Sequence, residues 1–192
     1  AALEALEALL ALHPDCQSLI LEYGERARPR RPRDESLRYW REHLEGADPV
    51  LLESLAEELR FDPGARAEAA RLLHRVLRLR PSSGMAHHVL ADLEVAQAGD
   101  LETAVEQFRF AVCNSTADEH FAEAYFHHAR LLGVDVEALA LLERRVEEAG
   151  HRSIGPARTL VAAYTDQGRP ERGVALLESL ADLRPDDGHL AI

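Results

Sequence analysis

Histidine can bind metals and transfer protons, and this sequence contains ten histidines in 192 residues. Two adjacent pairs stand out, His87-His88 and His127-His128. A zinc site on a helix needs two ligands one turn apart, whereas neighbouring helical residues point about 100° apart. No two histidines here are separated by three or four residues. We therefore expect no metal site and no cofactor, and we interpret the histidines as helix-surface and interhelix residues.

Arginine supplies all 22 basic residues, and five of them lie in the stretch 26–33, which two prolines interrupt. Such a run could bind phosphate or an acidic peptide. The alternative, which we favour, is a stiff and solvated loop between two helices. Against 34 acidic residues the formal net charge is −12. This charge argues against a general nucleic-acid-binding role, because such binding relies on a basic surface.

Catalytic motifs are missing from the sequence. It contains no glycine-rich phosphate loop, no nucleophile elbow and no His-Glu-x-x-His pattern, so we expect a protein that is not an enzyme. No run of 18 apolar residues predicts a membrane span. Cys16 and Cys113 lie in repeats that are not neighbours, which predicts two free thiols and favours a reducing, cytoplasmic location.

The elements that position these residues follow from a repeat. Glycines recur at separations of 35, 34 and 35 residues, a small residue follows each glycine by five positions, and a large apolar residue follows that by four. A fixed period in the thirties predicts a helical solenoid, whose units stack and present an extended binding surface. The three sets are Gly64, Gly99, Gly133 and Gly168; Ala69, Ala104, Ala138 and Gly173; Leu73, Phe108, Leu142 and Leu177.

Each period is long enough for two helices and two turns. In the last copy a first helix ends at Gly168, because glycine adopts the left-handed conformation just past a helix end. A second helix starts near Pro170. The small residues allow the two helices of a hairpin to approach closely. A single apolar stripe is predicted on this second helix at Val174, Leu177, Leu180 and Leu183.

The stretch Ile154 to Asp187 resembles the tetratricopeptide repeat family, in its bacterial type, and Val50 to Ser83 also fits without a gap. The resemblance implies an all-α, right-handed superhelix of helical hairpins. It also implies a non-enzymatic scaffold that binds a peptide or protein in its concave groove. The matching residues of the best copy are Leu160, Tyr164, Gly168, Gly173, Leu177 and Pro185.

We predict one solenoid over residues 1–192. Its repeats lie at about 17–49, 50–83, 84–118, 119–153 and 154–187, between a partial repeat 1–16 and the start of another at 188–192. In the partial repeat, Ala2, Leu6, Leu9 and Leu12 are expected on a second helix that is closed by His13-Pro14. Repeat 17–49 is divergent, with Gly24 and Ala27 on its first helix and Leu37, Trp40 and Leu44 on its second. Because the chain starts and stops inside repeats, we expect a piece of a longer protein.

The resemblance implies that the first helix of each repeat lines the groove. An exposed Phe126 beside Arg130 would have the composition of a binding hot spot, and the alternative is that Phe126 packs against the neighbouring repeat. Met85 is adaptable. Glu58 and Asp92 stand where family members that bind acidic chaperone tails need a clamp of basic residues, so such a tail is not the expected partner. Alternative functions are a substrate-recruiting domain of a larger enzyme and a peptide-sensing regulator. The candidate partner-binding residues are Met85, His88, Asp92, Phe126, Arg130 and Arg158.

Overall fold

The computed structural model describes residues 2–44, 47–97, 99–115, 118–150 and 153–183, and this part of the chain contains eleven α-helices and no strand. The predicted all-α class is therefore confirmed. The chain divides into two compact units, Ala1–Leu93 and Glu94–Ile192, and the single solenoid over 1–192 stays a prediction. The helices are α1 Ala2–Leu12, α2 Gln17–Ala27, α3 Arg33–Glu42, α4 Pro49–Leu59, α5 Arg66–Leu79, α6 Gly84–Gln97, α7 Leu101–Asn114, α8 Glu119–Leu132, α9 Asp135–Ala149, α10 Gly155–Asp166 and α11 Pro170–Leu183.

The repeating glycines mark the turns, as predicted, but they do so in two ways. Gly99, Gly133 and Gly168 have φ values of 64°, 82° and 71°, which place them in the left-handed region that favours glycine. Gly64 lies outside that region. Its turn between α4 and α5 is held instead by the Asp62 side chain, whose Oδ1 accepts a hydrogen bond from the Gly64 amide at 2.9 Å.

The small residues of the repeat lie where helices approach closely, as predicted. Ala69, Ala104 and Ala138 are completely buried. A Cβ added at Gly173 would lie 3.1 Å from Cγ1 of Val161 on the partner helix of its hairpin. The large apolar residues Leu73, Phe108 and Leu142 are buried beside them, and Leu177 is half-buried.

In the first unit the core is centred on Trp40, which is fully buried on α3 among residues of α2, α4 and α5. Gly24 lies on α2 and Trp40 on α3, the two helices expected for the divergent repeat, and repeat 17–49 itself stays a prediction. The close approach is real, since a Cβ at Gly24 would lie 2.3 Å from Cη2 of Trp40. Leu44 differs from the prediction: it follows the end of α3 at Glu42 and packs against the core from outside the helix.

In the second unit the helices stack as hairpins of successive repeats. The first helices α8 and α10 contact each other, α9 packs against both, and α7 and α11 pack on α8 and α10 respectively. Within the described ranges, no helix has the combined length and apolar character needed to cross a bilayer. The predicted further repeat at 188–192 and the closing Pro185 lie outside the described residues.

The predicted apolar stripe of α11 is wrong in part, and the predicted helix α1 likewise leaves some of its leucines exposed. On α1, Leu9 and Leu12 are 44% and 73% exposed, and Val174 is 49% exposed at the start of α11. The reason is geometric: three residues span about 300° of an α-helix, so a stripe of constant spacing three rotates by about 60° at each step. The half-buried face of α1 mixes spacings of three and four, through Leu3, Leu6 and Leu10.

Candidate functional site

Of the candidate binding residues in the first unit, His88 is in a different environment from the one expected. It is only 3% exposed, because α6 is buried around most of its circumference, so the expectation that His88 faces an open groove is wrong. Its Nε2 lies 3.9 Å from the Asp92 carboxylate. Arg60, just past the end of α4, forms an ion pair with the same carboxylate. Met85 is half-buried and packs against the core.

In the second unit Phe126 is buried, in keeping with the alternative that it packs against its neighbours, and its predicted exposure in the groove is wrong. Phe126 is 4% exposed and the adjacent Tyr125 is 3% exposed. Adjacent residues of a helix point about 100° apart. Both side chains are nevertheless buried, because α8 packs against three helices, α7, α9 and α10, on different sides. Arg130 and Arg158 are exposed, as expected.

Exposed side chains of α8 and α10 form one surface of the second unit, because these two first helices are in contact. A hydrogen bond reinforces the contact, since Nη1 of Arg130 donates to the Asp166 carbonyl oxygen at the end of α10 at 2.9 Å. We call this surface the α8–α10 face. It comprises Glu123, His127, Arg130, Arg158, Ala162 and Thr165.

A polar network fixes the α8–α10 face from behind. The Arg145 side chain of α9 is 5% exposed and forms two hydrogen bonds with the Glu119 carboxylate at the start of α8, at 3.0 and 3.1 Å. The Thr159 hydroxyl of α10 donates to the same carboxylate at 2.7 Å. Three helices are therefore tied to one side chain. These charge-assisted hydrogen bonds join α8, α9 and α10 behind the face.

The arginine-rich stretch between α2 and α3 is a short, exposed connection between two helices, as we favoured, and of its arginines only Arg31 is half-buried. It forms a short 3₁₀ turn, Arg28–Arg30, and reaches α3 through Pro32. Beside it lies an open pocket of about 380 Å³, which we call the arginine pocket. Its lining residues are Arg28, Arg31, Arg33, Ser36, Glu58 and Phe61.

Glu58 supplies the acidic side of the arginine pocket, although its sequence position predicted an outward-facing residue on a first helix. It is 6% exposed. Its carboxylate accepts hydrogen bonds from the Ser36 hydroxyl at 3.1 and 3.2 Å and from Nε1 of Trp40 at 3.0 Å. Nε of Arg28 lies 3.5 Å from the same carboxylate. Sequence reasoning missed this residue because its partners are 18 to 30 positions away along the chain.

Arg31 is anchored by two tyrosines. Its Nη2 donates to the Tyr23 hydroxyl at 2.6 Å, and its guanidinium lies 4.8 Å from the Tyr23 ring centroid and 5.1 Å from that of Tyr39. Burial raises the pKa of Tyr39 to about 12. Arg33 is anchored separately, because its Nη2 donates to the Glu58 backbone oxygen at 2.9 Å.

The adjacent histidines of α8 point in different directions, as the helical geometry requires. The His127 and His128 rings are inclined at 88°, and His128 stacks on Phe108 with a centroid separation of 4.5 Å. In the part of the chain that the structure describes, no three histidine, cysteine or acidic side chains are grouped as metal ligands would be. Cys16 and Cys113 are free and exposed.

Known proteins resemble this chain in structure but not detectably in sequence. No family model and no curated protein matches the chain. TTC0263, a thermophilic TPR protein of Thermus thermophilus, is 20% identical, with a TM-score of 0.57 over 91% of this chain and 95% of that one. YrrB, a TPR protein with an unusual peptide-binding site, is 14% identical, with a TM-score of 0.59 over 98% of this chain and 96% of that one.

Yeast Tom70 is similar as well. It is 15% identical, with a TM-score of 0.66 over 94% of this chain and 39% of Tom70. Identities this low establish the fold alone. Taken with the glycine-marked helical hairpins and their buried small residues, these similarities show that the chain has a tetratricopeptide-repeat fold.

Proposed function

We propose that this chain is a protein-interaction scaffold that binds a segment of another protein and catalyses no reaction itself. The observation that carries the proposal is the α8–α10 face, where two first helices in contact present exposed Arg130 and Arg158, and where a hydrogen-bond network joins both helices to α9. A surface that is already ordered loses little conformational entropy on binding. A similar fold in YrrB, described as having an unusual peptide-binding site, is in keeping with this function.

The side chains of this face suit a polar segment with a small apolar contact. Arg130 and Arg158 can each donate paired hydrogen bonds to a carboxylate. Ala162 lies exposed on α10 and leaves room for a partner side chain. Met85 and Asp92 of the first unit remain candidates for partner contacts in that unit.

The partner can be identified with the immobilised chain as bait and mass spectrometry of the captured proteins. A photoreactive residue at Ala162 should then crosslink the partner. The matched control carries the same residue at Glu178, which is exposed on α11. Equal crosslinking at both positions, or none at Ala162, would contradict binding at the α8–α10 face.

Affinity for the captured partner measures the arginine contribution. We expect Arg130→Ala and Arg158→Ala each to weaken binding by about tenfold, as for hot-spot arginines. Arg109→Ala is the control, because Arg109 is an exposed arginine of α7 in the same unit. If no protein binds the chain above the level of a bare support, the scaffold function itself is wrong.

A further inference from the structure

The arginine pocket is a concentration of positive charge in a protein with a formal net charge of −12. Three of its six lining residues are arginines and one is a glutamate. The Glu58 carboxylate is buried and already engaged by Ser36, Trp40 and Arg28. The pocket therefore has an excess of positive charge to offer an incoming anion.

The three guanidinium groups are held in place before any ligand arrives. Arg28 is held by the Glu58 carboxylate, Arg31 by Tyr23 and the ring of Tyr39, and Arg33 by the Glu58 backbone oxygen. A guanidinium has five N–H donors, and each anchor uses only part of them. The remaining donors of these arginines meet no acceptor among the described residues, so they are available for carboxylate oxygens. Ordering three arginines in advance lowers the entropy lost on binding.

Phe61 gives the pocket an apolar side. Phe61 is 59% exposed, and the Arg60 guanidinium lies 4.6 Å from the centroid of its ring. An exposed aromatic ring beside arginines is the composition of protein-binding hot spots. A bare inorganic anion would leave the ring unused. A peptide that carries an apolar side chain next to its acidic groups would cover it.

We propose that the arginine pocket binds an acidic peptide segment of a partner protein, with carboxylates on Arg28, Arg31 and Arg33 and an adjacent apolar side chain on Phe61. This site lies in the first unit, at the turn between α2 and α3 and the end of α4. It rests on the proposed function only in that its occupant is a protein segment. The guanidinium chemistry accepts phosphate as well as carboxylate, so a phosphorylated peptide is a second source of the same acidic group.

The probe is a short fluorescein-labelled peptide containing Glu-Leu-Glu, titrated with the full chain and followed by fluorescence anisotropy. We expect binding that weakens when glutamine replaces the glutamates, by at least about tenfold, and that weakens with added salt. The sole tryptophan, Trp40, donates to Glu58 in the pocket, so its fluorescence should change on binding. A phosphoserine peptide that binds more tightly supports the same site and assigns its acid to phosphate.

Variants locate the site. Arg33→Gln should weaken binding about tenfold, because glutamine keeps a polar side chain but lacks the guanidinium charge. Phe61→Ala should weaken binding of the Glu-Leu-Glu peptide but not of a Glu-Ala-Glu peptide. The matched control is Arg30→Gln, because Arg30 belongs to the same turn and carries the same charge without lining the pocket.

Three results would overturn the inference: no binding of any acidic peptide, equal weakening by Arg30→Gln and Arg33→Gln, or displacement by inorganic phosphate as effective as by the unlabelled peptide. The first result would mean that the pocket does not bind acidic peptides. The second would mean that the peptide is attracted by the overall positive charge of the turn, and the third that the pocket binds any anion. A chain that fails here but still crosslinks a partner through Ala162 keeps its scaffold function. A chain that binds the peptide but captures no partner keeps the pocket and loses the α8–α10 proposal.

Discussion

Gly24→Ala tests the contact around which the first unit is built. Gly24 lies inside α2, where alanine would normally be the better helix former by about 1 kcal/mol. Helix propensity alone therefore predicts a more stable protein. The structure predicts the opposite, because the indole ring of Trp40 occupies the space that a Cβ would need.

The magnitude follows from three distances. A Cβ at position 24 would lie 2.3, 2.5 and 2.9 Å from Cη2, Cζ2 and Cζ3 of Trp40. Carbon atoms in contact are normally about 3.5–4.0 Å apart, so the ring must retreat by about 1 Å. It is fully buried, and its Nε1 donates to Glu58, so retreat disturbs both packing and this hydrogen bond. Taking about 3 kcal/mol for the overpacking and about 1 kcal/mol for the helix gain, we expect a net loss of about 2 kcal/mol.

Chemical denaturation followed by Trp40 fluorescence and by circular dichroism measures this loss. The control is Gly64→Ala, because the nearest atom to its added Cβ is Asp62 Oδ1 at 3.4 Å and its φ is not positive. That substitution should be neutral or stabilise the protein by up to about 1 kcal/mol. A Gly24→Ala protein as stable as the parent, or more stable, would refute the close approach of α2 and α3.

Two further predictions concern the second unit and the tyrosines. Phe108 and Ala104 are completely buried. Phe108→Ala should lower the free energy of unfolding by about 3–5 kcal/mol by leaving a cavity, and Ala104→Leu should lower it by about 1–3 kcal/mol by overpacking. Unchanged melting of both variants would contradict the repeat register. Burial raises the pKa of Tyr39 and of Tyr164 to about 12 from the ordinary value of 10.0, and hydrogen bonding to Glu143 adds to the effect at Tyr164. The stability that the two buried phenols contribute is therefore complete below pH 10 and is lost as the pH rises toward 12. Denaturation experiments and phenolate absorbance across that range can measure this loss. Phenolate formation near pH 10 in the folded protein would contradict the raised pKa values.

The sequence was sufficient for the repeat because the repeat depends on short-range rules. A left-handed turn needs glycine, and the structure has it at Gly99, Gly133 and Gly168. Two helices in close contact need a small residue, and Ala69 and Ala104 are completely buried there. These requirements involve a residue and its immediate surroundings, so they appear in the sequence at a fixed period.

The sequence was less informative about which side chains remain exposed. Tyr125 and Phe126 are both buried because α8 has neighbours on three sides, whereas periodicity arguments assume one buried face. The same assumption placed Glu58 outward. Burial around a helix in a stack depends on how many helices surround it, and that number is set by the tertiary arrangement rather than by the helix's own pattern.

Three unusual features of the divergent repeat 17–49, its helical glycine, its buried tryptophan and its arginine-rich connection, are linked by direct contacts. The missing side chain at Gly24 admits Trp40, the Trp40 indole N–H holds the Glu58 carboxylate, and that carboxylate lies beside Arg28. A substitution at Gly24 should therefore affect the surroundings of Arg28. If Gly24→Ala displaces the indole ring, Glu58 loses a hydrogen bond inside the arginine pocket, and the acidic peptide should bind more weakly although residue 24 does not line that pocket. Gly64→Ala, which displaces nothing, should leave the peptide affinity unchanged.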